Sequence, residues 1–140
     1  MMLTLFIPII LFFSGIGSAQ NSNLTVSVSS LKNNTGKLTV ELYNSKERFL
    51  KNACKTISSP IKSNAGSVTF TGIPNGEYSV LVYHDANNNG KLDKNFIGMP
   101  KEPVACSNNA KGFMGPPKYE DAKFIITKDS KISIEMTTAH

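Results

Sequence analysis

Arginine, cysteine and histidine are scarce in this chain: Arg48 is the lone arginine, Cys54 and Cys106 the cysteines, His84 and His140 the histidines, among 140 residues. Each shortage narrows the chemistry. Neither cysteine stands in a Cys-x-x-Cys or Cys-His arrangement, so a redox or nucleophilic thiol has no support. General acid–base work needs a positioned partner and a pocket; only His84, beside Asp85, has a titratable neighbour in sequence, and His140 is the final residue. The net charge is +5, yet the lysines form no basic cluster and no aromatic stripe runs among them. A nucleic-acid surface is therefore not indicated, and the lysines serve solubility and strand-edge protection. There is no internal repeat and no linker-like run, which leaves one domain.

The N-terminal run also lacks something. No Lys or Arg precedes the apolar stretch Leu3 to Phe13, which only Thr4 and Pro8 interrupt. Small residues follow at Gly17 and Ala19, so residues 1–19 are expected to be a secretory signal cleaved after Ala19, and residues 20–140 the mature domain. The apolar stretch is short of the roughly 20 residues a spanning helix needs, which makes a retained anchor the alternative; no span is expected in the mature chain. No cysteine follows closely enough to carry a lipid. The expected location is secreted or periplasmic. In such a compartment Cys54 and Cys106 are free to pair, and closing that loop would stabilise the fold by roughly 4 kcal/mol; two buried free thiols are the alternative.

The remaining pattern is that of strands. Leu24 to Val28 and Lys37 to Tyr43 alternate apolar and polar around the turn composition Lys32-Asn33-Asn34-Thr35-Gly36, and are expected to pair as a hairpin. Asn44 with Glu47 resembles a helix-capping pair, and Phe49, Leu50 and Ala53 would share one face of a short helix over the sheet. Ser67 to Phe70, the turn Gly72-Ile73-Pro74-Asn75-Gly76 and Glu77 to Tyr83 follow. From Asp85 to Asp121 runs a long loop whose Phe96, Ile97, Met99, Phe113, Met114 and Tyr119 argue for order. Two strands, 122–127 and 131–136, close the chain around Lys128-Asp129-Ser130. Six or seven strands with almost no helix predict an all-β antiparallel sandwich.

Chemistry concentrates in His84-Asp85-Ala86-Asn87-Asn88-Asn89-Gly90-Lys91-Leu92-Asp93. Oxygen donors at Asp85, Asn87 and Asn89, glycine at Gly90 and a backbone carbonyl at Lys91 follow the first half of a calcium loop. The twelfth position, where a bidentate Glu is needed, is Phe96. Asp93 can substitute from nearer in sequence. Such a low-charge cage would bind calcium weakly, on the order of 10⁻⁴ to 10⁻³ M as in extracellular modules. The competing reading is that asparagine and glycine only build Asx-turns between strands. His84 together with Ser107, Asn108, Asn109 and Lys111 offers a second, polar ligand surface, its amides and hydroxyl suited to a glycan or peptide; the same short side chains can instead bond the backbone of the long loop.

These motifs resemble the DUF2141 family of exported bacterial domains. The resemblance rests on the Leu-Thr-Val start, Gly72-Ile73-Pro74-Asn75-Gly76-Glu77-Tyr78, Tyr83 through Asp93, Asn95 through Pro100, Ser107 through Gly112 and Gly115 through Ala122. It implies a transthyretin-like or carboxypeptidase-regulatory-like β-sandwich and transfers no catalytic role. Lys111 stands where arginine is common in such sequences, and Cys106 where an aromatic is common, so a bridge to Cys54 would be local to this protein.

The expected function is a secreted or periplasmic, non-catalytic binding or structural module with a weak calcium loop, whose partner is a protein or glycan. The alternatives are a hydrolase using His84 with Asp85 or Lys111, and an envelope-associated structural module without metal. Hydroxyisourate hydrolases share the implied fold, but need several histidines and a Tyr-Arg-Gly-Ser-like end where this chain reads Met136-Thr137-Thr138-Ala139-His140.

Overall fold

In the computed structural model, residues 20–94, 100, 102–112 and 115–136 are described. The expected signal segment 1–19, the loop residues Phe96, Ile97, Met99, Phe113 and Met114, and His140 lie outside the described residues. The described strands are β1 (Asn21–Ser29), β2 (Lys37–Tyr43), β3 (Lys55–Pro60), β4 (Gly66–Pro74), β5 (Gly76–Asp85), β6 (Val104–Cys106), β7 (Phe124–Ile126) and β8 (Ser130–Glu135). They form a three-stranded sheet in the order β4-β1-β8 and a five-stranded sheet in the order β3-β2-β5-β6, with β7 also on β5. The all-β sandwich expected from the strand pattern is what the chain adopts.

Period-2 alternation explains the packing between the sheets. Leu24, Val26 and Val28 of β1 face Leu38, Val40 and Leu42 of β2 and Tyr78, Val80 and Val82 of β5 in one buried cluster, each fully buried aliphatic side chain contributing about 1.5–3 kcal/mol. β5 reads as a nearly continuous apolar run because its other face is covered too. There Leu81 packs with Tyr43, Phe49, Cys106, Tyr119 and Ala122. The cover comes from segment 44–53 and from a one-turn helix, α1 (Tyr119–Ala122). Phe49 meets Tyr43 and Tyr119 edge-on, at 5.6 Å in both cases, a geometry that ring quadrupoles favour.

Several expectations are corrected. β1 and β2 are not a hairpin: β1 pairs antiparallel with β4 and parallel with β8, while β2 pairs with β3 and β5. The links β1–β2, β4–β5 and β7–β8 all cross from one sheet to the other. The Gly72–Gly76 turn is accordingly a corner, tied by Asn75, whose N–H donates to Gln20 O at 2.9 Å and whose carboxamide holds Ser22 Oγ at 2.6 Å and Thr127 O at 3.0 Å. β3 escapes the pattern search because it is a short edge strand ending in proline. Segment 44–53 is a chain of turns rather than a helix, although Phe49 does cover the sheet as expected. The 85–121 loop contains β6, a 3₁₀ turn (Ser107–Asn109) and most of α1.

The disulfide is also corrected: both cysteines are free. Cys54 packs against the inter-sheet cluster and Cys106 belongs to the outer one. The N–H of Cys54 bonds Leu42 O at 2.8 Å on the β3 side of β2, whereas Cys106 pairs with Leu81 on the far side of β5. Roughly three strand spacings of about 4.8 Å separate these positions, beyond the roughly 7 Å that a disulfide can bridge.

Candidate metal centre

β5 ends at Asp85, and the loop that follows is built on that carboxylate. Asp85 is fully buried. Its Oδ1 accepts from Asn89 N–H at 3.2 Å and its Oδ2 from Gly90 N–H at 2.8 Å, with Lys37 Nζ at 3.8 Å. The tight return requires left-handed backbone at Asn88 (φ 55°) and Gly90 (φ 73°), which asparagine and glycine tolerate best. Asn87 Nδ2 then donates to Asp93 Oδ2 at 2.6 Å and Asn89 Nδ2 to Asp93 Oδ1 at 2.7 Å. Their amide oxygens accept from Asn89 N–H at 3.3 Å and Lys91 N–H at 3.0 Å. Asn87 and Asn89 thus share Asp93 while Asp85 holds backbone N–H groups of the loop, the bonding of Asx-turns.

One further carboxylate, which the spacing rule missed, belongs to this group. The β5–β6 register pairs Leu81 with Cys106 and Tyr83 with Val104, and His84 N–H donates to Pro103 O at 3.1 Å. Two residues before β6, Glu102 is thereby brought near Asp85 and Asp93. Glu102 Oε2 is buried without a hydrogen-bond partner. Burial, then a hydrogen bond shared with Asp93, then the Asp93 and Asp85 charges push its pKa up to about 7. A sequence signal existed: Glu102 is the only acidic residue between Asp93 and Glu120.

Among the described residues no three carboxylate, imidazole or thiol groups are gathered into a metal-holding cluster. A cation here would depend on amide and carbonyl oxygens as well, which suits a hard ion such as calcium.

His84 and Asp85 do not form a dyad. Successive strand residues point to opposite faces; His84, 2 % exposed, lies on the face that carries Val80 and Val82, and its Nε2 meets Thr35 O at 2.5 Å. A carbonyl only accepts, so Nε2 carries the proton and is occupied. Of the polar group at 107–111, Ser107 is buried and its Oγ accepts from Val80 N–H at 3.0 Å and donates to Ala122 O at 2.5 Å. Asn108 Nδ2 donates to Asp121 O and Lys123 O, and Asn109 Oδ1 accepts from Glu135 N–H. These three side chains join α1, β5 and β8; Lys111 is exposed. A shallow groove of about 550 Å³ near Ser29, Pro60 and Ser67 includes none of the candidate donors.

Comparison with curated proteins finds no match, and comparison with solved structures finds none either. The match that does exist spans residues 26–135, from β1 to the end of β8 and across every candidate donor. The chain belongs to the DUF2141 family, described as an uncharacterized protein conserved in bacteria.

Proposed function

We propose that this is an exported, non-catalytic β-sandwich module whose 85–93 loop takes a calcium ion, with Glu102 as an added donor. What supports the reading is the Glu102 carboxyl, one oxygen of which is buried without a partner, held against Asp93 at a loop whose Asp85, Asn87 and Asn89 side chains are already drawn together by hydrogen bonds. To turn its oxygen toward an ion each carboxamide would release Asp93 and the backbone N–H that its Oδ1 now holds, a side-chain rotation that leaves the backbone in place. The Lys91 carbonyl is the remaining protein donor. Bound calcium would supply charge neutralisation, tying the loop to the segment before β6 that carries Glu102. Since the described carboxylates do not by themselves gather into a metal-holding group, binding is expected to be weak, with a dissociation constant on the order of 10⁻⁴ to 10⁻³ M as in extracellular modules.

Export is supported by the apolar segment Leu3 to Phe13 with small residues before position 20; no described helix is long and apolar enough to cross a membrane. The partner class is a protein or glycan met at the loop face. Calorimetry of chelator-stripped protein tests the metal: heat and a raised melting temperature with millimolar calcium, and less with magnesium, are expected. Absence of both responses to calcium overturns the proposal.

A second reading is an envelope-associated structural module without metal. It is favoured by the way Asp85 and Asp93 already satisfy the loop's N–H groups and amides. Pull-down from envelope fractions separates the two, since only the first predicts that chelator alters the bound set.

A further inference from the structure

Asparagine followed by glycine occurs twice in the chain, at Asn75–Gly76 and Asn89–Gly90. Glycine leaves its own nitrogen unshielded, so this dipeptide is where an asparagine side chain is most open to attack by the following backbone. The fold treats the two sites differently. Asn75 is held by Gln20, Ser22 and Thr127, three partners on other segments, and Gly76 lies in the β5–β7 ladder opposite Ile126. Asn89 is exposed, and its side-chain bonds all stay inside its own loop. Nothing lies within 4 Å of where a Cβ would stand at either Gly76 or Gly90, so the difference lies in how each asparagine is anchored.

The groups around Asn89 also suit the reaction. Its Oδ1 accepts from Lys91 N–H at 3.0 Å, which polarises the side-chain carbonyl. The Gly90 N–H points at Asp85 Oδ2, 2.8 Å away, an acceptor for its proton.

We propose that Asn89 is a site of spontaneous deamidation and that the fold spares Asn75. The Gly90 nitrogen bonds to Asn89 Cγ as its proton passes to the Asp85 carboxylate. The Cγ–Nδ2 bond breaks, and the departing amine takes up that proton and leaves as ammonia. Water then opens the resulting succinimide at either carbonyl, giving aspartate or isoaspartate at position 89. No oxidant or reductant is involved. Where the calcium reading holds, on which this consequence rests, the aspartate product adds a carboxylate at a donor position and tightens calcium binding on the order of tenfold, since affinity follows ligand charge.

The test is peptide mapping of purified protein aged at neutral pH with chelator present, beside the same protein aged in urea. Expected are aspartate and isoaspartate at position 89 with Asn75 intact in the folded sample, and conversion at both positions in the unfolded one. An intact Asn89 in the folded sample, or Asn75 converting as fast as Asn89 there, overturns the proposal. Because no calcium is present, this outcome is independent of the calorimetry above. For the consequence, Asn89→Asp is titrated with calcium against freshly prepared wild type; equal affinity overturns it.

Discussion

Glu102, two residues before β6, lies near enough to Asp85 at the end of β5 for the charge of one carboxylate to act on the other. Burial first, then the hydrogen bond and charge of Asp93, and last the charge of Asp85, raise the Glu102 carboxyl to about 7 and so favour its neutral form.

Its pH dependence follows. The folded-state pKa of Glu102 lies above the ordinary 4.5, so its contribution to stability is fully present below about pH 4.5 and is lost as pH rises through about 7. In chelator, Glu102→Gln, which mimics the protonated acid, is expected to match wild type at the acid end and to melt higher above pH 7. Parallel melting profiles for the two proteins would refute the assignment.

Gly36 is where the link from β1 to β2 passes under the loop. With φ at +75°, a Cβ there would stand 2.1 Å from Asp85 O and 2.7 Å from Ala86 Cα. Gly36→Ala combines left-handed strain with a backbone clash, and is expected to cost about 3 kcal/mol in urea denaturation. A cost under half of that would mean the link does not press on the Asp85 backbone.

Two buried serines predict opposite outcomes. Ser79 Oγ has no partner although the residue is fully buried, so Ser79→Ala is expected to leave stability unchanged or raise it by about 1 kcal/mol. Ser107 Oγ serves Val80 N–H and Ala122 O in the same interior. Ser107→Ala orphans both and is expected to cost about 2 kcal/mol. Equal effects in chemical denaturation would contradict these hydrogen-bond assignments.

The cysteines are expected to remain thiols after purification without reductant. Thiol titration of denatured protein should count both. In the folded protein Cys106 should react far more slowly than in the denatured chain, because burial pushes its thiol up to about 12, leaving little thiolate. A single bridged species by mass would disprove the placement of Cys54 and Cys106 on opposite faces.

Local chemistry was legible at the level of residues. Alternation located β1, β2 and β4, an apolar run located β5, and the donor spacing marked a loop in which Asn87 and Asn89 bond Asp93. The same rules misjudged segment 44–53, where a capping-like Asn44–Glu47 pair precedes turns; Phe49 needed only to reach Tyr43 and Tyr119, and a run of turns delivers it. The alternative that joined His84 to Asp85 fails on strand geometry, which divides them between two faces and leaves His84 on Thr35 O.

From the order of residues alone came the strand periods, the turn at Gly72–Gly76 and the oxygen-rich loop, because each depends on neighbours a few positions apart. Tertiary structure decided which strands pair, that Cys54 and Cys106 stay apart, and that Glu102 joins Asp85 and Asp93. Those outcomes depend on residues far apart in the chain meeting across a sheet. A period of two states which way a side chain points, and says nothing about what it will find there.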